Sequence, residues 1–96
     1  MERRVVAFDL ETTGLNPFHE QILEYGAVDV TGARFSALVR ATVPAKITQI
    51  TGITQEEVDA HGLEPVEAAR AFMDFLGPRT QPLLLCAHNA AFDMNF

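Results

Sequence analysis

The sequence predicts an α/β domain on a mixed sheet: three antiparallel strands, then a crossover helix and a strand parallel to the first. Two observations predict it. The first half holds three apolar runs rich in β-branched and aromatic residues, separated by Thr, Gly, Asn and Pro. The second half holds a stretch with helical spacing followed by the continuous apolar run Leu83-Leu84-Leu85-Cys86-Ala87. Such a run is the pattern of a strand covered on both faces, and a strand reached through a helical crossover normally lies parallel to its neighbour.

The first strand covers residues 4–10, where Val5-Val6-Ala7-Phe8 is halted by Thr12-Thr13-Gly14 and Asn16-Pro17. A second run, 22–30, ends in Thr31-Gly32, and a third, 33–43, ends at Pro44, so a short hairpin joins them into a meander. Gly26 inside the second strand predicts close approach by another element. Thr54 with Glu57 three residues later is a capping box, which opens a short helix to about Ala60 that stops near Gly62. Pro65 suits a first helical position. Val66, Ala69, Phe72, Met73 and Leu76 then recur at helical spacing until Gly77-Pro78. Asn89 is placed to cap a last helix from Ala90, of about two turns before Phe96.

The chain has 96 residues, 48% of them hydrophobic and 21% charged, with 13 acids against 7 Lys and Arg for a net charge of −6. These values exclude intrinsic disorder and leave room for a single domain. No apolar run approaches the ~20 residues of a membrane span, and Met1-Glu2-Arg3-Arg4 leads into a strand rather than a secretory leader, so a cytoplasmic protein with no membrane partner is expected. Cys86 is alone, and its apolar surroundings predict a buried, inert thiol. The acidic balance predicts weak attraction to nucleic acid unless bound cations reverse the local sign. The sequence contains no phosphate-binding loop, zinc-ligand spacing or nucleophile elbow.

The chemistry concentrates at Asp9 and Glu11. Two apart in a strand, they share a face with Val5 and Ala7, their Cα atoms ~6.6–7 Å apart, so they can share hard cations. Taken alone, an Asp-x-Glu pair is equally well a solvated strand end. Glu24, flanked by apolar residues, either faces this pair or lies at an exposed position. His19 and His61 read as solvated loop residues.

Two segments together decide more. Phe8-Asp9-Leu10-Glu11-Thr12-Thr13-Gly14-Leu15 and His88-Asn89-Ala90-Ala91-Phe92-Asp93 resemble the first and second motifs of the DnaQ-like 3′→5′ exonucleases. These belong to the DEDD superfamily with its ribonuclease H-like fold, and the likeness is closest to the proofreading exonucleases of bacterial replicative DNA polymerases. Ile22-Leu23-Glu24-Tyr25-Gly26-Ala27-Val28 looks like that family's second strand. Ile50-Thr51-Gly52-Ile53-Thr54 looks like its loop beside the active site.

The resemblance implies that Asp9, Glu11 and Asp93 are catalytic and ligate two divalent cations, Mg²⁺ or Mn²⁺. It further implies that Thr12, Thr13 and Leu15 touch the terminal nucleotide, with His88, Asn89 and Phe92 beside the substrate. Asn89 is also explained as a helix cap, Phe92 as core, and Thr-Thr-Gly as a tight turn. The implied substrates are single-stranded or frayed 3′ ends of DNA, or RNA in an RNA-trimming relative, and the implied partner is a DNA polymerase subunit. A degenerate, non-catalytic module for protein binding is the rival reading.

The family's third motif, His-x₄-Asp or Tyr-x₃-Asp, comes well after the second and supplies the base that activates water. No such motif follows Asp93 in these 96 residues. The expectation is a single, C-terminally truncated exonuclease domain over 1–96, weak in metal binding and nearly inactive alone, with an apolar flank beside the last strand that favours self-association.

Overall fold

The computed structural model describes residues 4–14, 20–78 and 83–87. Four strands form one sheet in the order β3-β2-β1-β4: β1 Arg4–Thr12, β2 Ile22–Asp29, β3 Arg34–Leu38 and β4 Leu83–Ala87. The β1–β2 and β2–β3 pairs are antiparallel and β4 runs parallel to β1, which is the predicted mixed sheet. Three helices, α1 Ala45–Thr51, α2 Gln55–His61 and α3 Pro65–Leu76, lie between β3 and β4. Among the described residues, no helix is long and apolar enough to cross a membrane.

Alternation along β1 assigns the two faces of the sheet. Phe8 of β1, Tyr25 of β2 and Phe35 of β3 all reach Phe72 of α3, with ring centroids 6.2, 5.1 and 5.8 Å apart. Phe35 also meets Phe75, at 5.6 Å. These offset contacts bury the face of Val6, Phe8 and Leu10 under α3. The stripe of α3 differs from the predicted one. Val66 and Met73 are 67% and 47% exposed, while Ala68, Phe72 and Leu76 carry the packing. Alanine gives a weak hydrophobic signal, so its face was misplaced by part of a turn.

A second cluster, Leu23, Ile53 and Val58, ties β2 to the helices, with Leu38, Ala41, Val43 and Ile47 packed against it. Thr54 caps α2 as predicted, its Oγ1 accepting from the Glu57 N–H at 3.1 Å. The third apolar run, however, leaves the sheet after Val39, whose N–H still donates to the Leu23 carbonyl at 2.8 Å beyond the end of β3 at Leu38. Gln55 holds it instead: its Oε1 accepts from the Val43 N–H at 2.8 Å and its Nε2 donates to the Ala41 carbonyl at 3.0 Å. Ala41 and Val43 are apolar because they face this cluster, not because they extend β3. The sequence reading missed α1, whose β-branched Ala-Lys-Ile-Thr-Gln-Ile-Thr has little helical signature. Pro44 opens it, and Gly52 closes it at φ 81°, a conformation that favours glycine.

Two expectations about β4 fail. Leu83, Leu84 and Leu85 are 36–44% exposed rather than covered, and Cys86 is exposed rather than buried. The reason is position: among the described residues β4 is the sheet's edge and pairs only with β1.

The β2–β3 hairpin is locked by Asp29. One carboxylate oxygen accepts from the Thr31 hydroxyl and N–H and from the Ala33 N–H; the other accepts from the Arg4 guanidinium at 3.1 Å. Arg4 also donates to the Phe75 carbonyl and lies over the Phe75 ring, which ties the hairpin to α3. The Thr31 hydroxyl bond first, and then Arg4 and the two N–H groups, hold the Asp29 carboxyl down at about 2. A carboxyl lowered by folding contributes stability above its unfolded value of ~3.9, and that contribution is lost as pH falls towards the folded value. The melting temperatures of wild type and Asp29→Asn are therefore expected to differ above pH ~4 and to converge as pH falls to ~2. A gap that stays constant across that range would show that the Asp29 charge plays no part.

Candidate active site

The acids lie on the face of the sheet opposite α3. Asp9 pairs across β1–β2 with Gly26, and Glu11 with Glu24, so all three carboxylates share one face. Asp9 is exposed, while Glu11 and Glu24 are half-buried. Directly opposed like charges repel. Burial first, and then the charges of Glu11, Glu57 and Asp9, push the Glu24 carboxyl above its ordinary value. Glu24 thus faces the acid pair, the first of the two positions the sequence left open.

The register slips between Glu11 and Thr12, immediately beyond the acids. Such a bulge re-aims the chain and is common beside active sites. Asp9 lines a groove of about 400 Å³ along the sheet face, with Ala7, Gly26, Val28, Arg34 and Ser36. Gly26 does not make the predicted close approach. A Cβ there would meet only the Asp9 carbonyl oxygen, at 3.8 Å, and the space above it is this groove.

Glu11 opens onto a second cleft of about 630 Å³. One wall is Glu11, Thr12, Thr13, Gly14 and Glu20; the other is Pro44, Lys46, Ile47, Ile50 and Thr51. The side chains of Thr12 and Thr13 are used inside the turn. Thr12 Oγ1 donates to the Gly14 carbonyl at 2.5 Å, and Thr13 Oγ1 accepts from the Gln21 N–H at 3.0 Å. The Thr13 N–H donates to the Gln21 carbonyl at 2.9 Å, closing the base of the loop between them. Both threonines are buried, so they shape the rim of the cleft more than they project into it.

The structure therefore brings together Asp9, Glu11, Thr12 and Thr13 from the expected site. Leu15, His88, Asn89, Phe92, Asp93 and the helix expected from Ala90 lie outside the described residues, as does His19. Among the described residues no three His, Cys, Asp or Glu side chains close on one point that could hold a metal ion. Asp9 and Glu11 supply hard oxygen donors on one face, and positive charge placed beside them would offset the like-charge repulsion among Asp9, Glu11 and Glu24. That donor set fits Mg²⁺ or Mn²⁺ better than a soft metal. The sequence reading missed Lys46, Ile47 and Glu20 as cleft residues. Lys46 and Ile47 belong to the helix it did not find, and Glu20 carries no motif of its own in the sequence.

The model of the RNase_T family, described as an exonuclease, matches residues 6–96. The chain belongs to this exonuclease family. It is 39% identical over 99 residues to the PolC-type DNA polymerase III of Clostridium perfringens, a match covering 95% of this chain and 6% of the polymerase. With the PolC-type DNA polymerase III of Bacillus subtilis it shares 37% identity over 101 residues, covering 99% of this chain and 7% of that protein. The exonuclease-family chain thus spans well under a tenth of the length of these relatives.

Its fold matches solved structures of exonuclease I. The enzyme from Methylocaldum szegediense superposes with a TM-score of 0.81 at 20% identity, over 98% of this chain and 22% of that one. A zinc-bound complex of E. coli exonuclease I with single-stranded DNA superposes at 0.79 and 22% identity, again over 98% of this chain and 22% of that one. At such identity the match establishes the exonuclease fold: a mixed sheet of three antiparallel strands and one parallel strand, with helices.

Proposed function

We propose that these residues belong to a metal-dependent 3′→5′ exonuclease of DNA, of the proofreading type, acting in the cytoplasm beside a polymerase. The observation that carries the reading is the placement of Asp9 and Glu11 on one open face of β1, next to a bulge and with Glu11 at the mouth of a cleft, in a chain of the exonuclease family. The single-stranded DNA held by exonuclease I and the polymerase context of the PolC relatives support the substrate and the partner.

Asp9 and Glu11 would hold the cations, with Asp93 as the third ligand. Two bound cations supply the chemistry that phosphodiester hydrolysis needs, a more acidic attacking water and charge stabilisation at the leaving 3′-oxygen. The chain's own residues do the rest. The Thr12–Gly14 turn, braced by Gln21, fixes the rim where the terminal nucleotide would enter; by resemblance to the family, Leu15 would contact its base, and His88, Asn89 and Phe92 would contact the substrate. A frayed or single-stranded end reaches such a cleft where a stacked duplex cannot.

The test uses single strands labelled at one end and the protein in the form its gene encodes. With Mg²⁺ or Mn²⁺, a 3′ label is expected to appear as free mononucleotide from the first turnovers, and a 5′ label as a descending ladder. Immediate release of the 5′ label, or internal cuts, would overturn the direction assigned.

A further inference from the structure

Lys46 is a cation without a structural use. The chain carries −6, and the cleft that opens at Glu11 is lined by two acids, Glu11 and Glu20. Lys46 is the one basic residue among the described lining residues of that cleft. Among the described residues, Arg4 is paired with Asp29 and Arg40 with Glu64, while Arg34, Lys46 and Arg70 are exposed and in no ion pair; of these three, only Lys46 lines this cleft. It gains nothing from α1 either, since the first turn of a helix favours acids.

The cleft also has a direction. Asp9 lines the groove on the sheet face, Glu11 stands at the junction, and the cleft leads from Glu11 towards α1, away from Asp9. A substrate strand with one phosphate at the Asp9 and Glu11 face has this cleft as a path past α1. There Ile47 and Ile50 offer apolar ground for a sugar or base, and Lys46 a charge for a phosphate. We propose that Lys46 is the electrostatic contact for a backbone phosphate of the substrate strand other than the one being cleaved. The proposal rests on the exonuclease reading above, and it makes Lys46 a binding residue rather than a catalytic one.

Binding of a 5′-fluorescein oligo(dT) with a free 3′-hydroxyl, followed by anisotropy in Ca²⁺ over a range of salt, tests it on the full chain. Each phosphate contact to a single strand contributes ~0.7 to the slope of log K against log salt. Lys46→Gln is expected to lower that slope by ~0.7 and to weaken binding by ~5-fold at 0.1 M salt, with Lys46→Arg close to wild type. Mn²⁺ binding by titration should be unchanged in Lys46→Gln, and its melting temperature should match wild type because the side chain is exposed. If wild type binds the oligonucleotide and Lys46→Gln binds it equally well with the same slope, the role of Lys46 is overturned and the exonuclease reading survives. Absence of oligonucleotide binding by a wild type that does bind Mn²⁺ through Asp9 also overturns Lys46 alone. Absence of both overturns the two together.

Discussion

Asp9→Ala is expected to lower the affinity of the chain for Mn²⁺ by at least ~10–100-fold, because removing even a partner of a metal ligand costs that much and Asp9 is proposed as a ligand itself. Asp74→Ala, which removes an equal charge from an exposed position on α3, should leave Mn²⁺ binding unchanged. Isothermal titration on the three proteins reads this directly. Thermal melting adds a second readout of opposite sign. Without metal, Asp9 is one of the charges that raise Glu24, so its removal should make the metal-free chain slightly more stable. With Mn²⁺ at ~100 times the dissociation constant, wild type should gain about 2.7 kcal/mol, or ~10–20 °C in a domain of this size. Asp9→Ala should gain almost none. Equal Mn²⁺ affinity in wild type and Asp9→Ala would reduce the pair to a solvated strand end.

That site was legible because period-two alternation needs no tertiary information. With the alternation of 4–10 carried one residue further, Asp9 and Glu11 share a face and the face of Phe8 is the other; β1 in fact runs on to Thr12. The Thr54 cap and the Gly77-Pro78 stop are equally local signals, and both hold. What the sequence hid depends on non-local packing. Glu24 meets Glu11 only through the β1–β2 register, which pairs residues well separated in the sequence. Ala41 and Val43 look like strand residues because burial against Leu23 and Val58 selects the same side chains that a sheet would. The helix α1 carries no fully buried residue, so no amphipathic stripe marks it, and with it went the far wall of the cleft. The exposure of Cys86 follows from β4 lying at an edge, a matter of sheet order that an apolar run does not encode.

The importance of that hidden packing can be measured at Leu23. Its side chain is 0% exposed and sits where β2, the segment after β3, α1 and α2 converge: Ile53 and Val58 close the cluster, with Leu38, Ala41, Val43 and Ile47 against it. Truncation leaves a cavity that these elements cannot all collapse into, so Leu23→Ala is expected to cost about 3 kcal/mol, within the ~2–5 kcal/mol of buried leucines. For a domain of this length that is a fall of ~12–24 °C in melting temperature. Leu84→Ala, which truncates a leucine already 42% exposed, should cost much less. The loss at Leu23 should also be uneven. Ile47 is the α1 residue held against this cluster, whereas the Phe8–Tyr25–Phe35–Phe72 assembly stands apart from it on α3. Hydrogen exchange in Leu23→Ala should therefore accelerate first in α1, ahead of the β1 and β2 amides. Because α1 supplies the Lys46 wall of the cleft, the same variant should lose oligonucleotide affinity at temperatures where the Asp9 and Glu11 face still binds Mn²⁺. Simultaneous loss of both on warming would mean that the cleft and the acid pair unfold as one unit, and that Leu23 supports the whole sheet rather than one wall of the site.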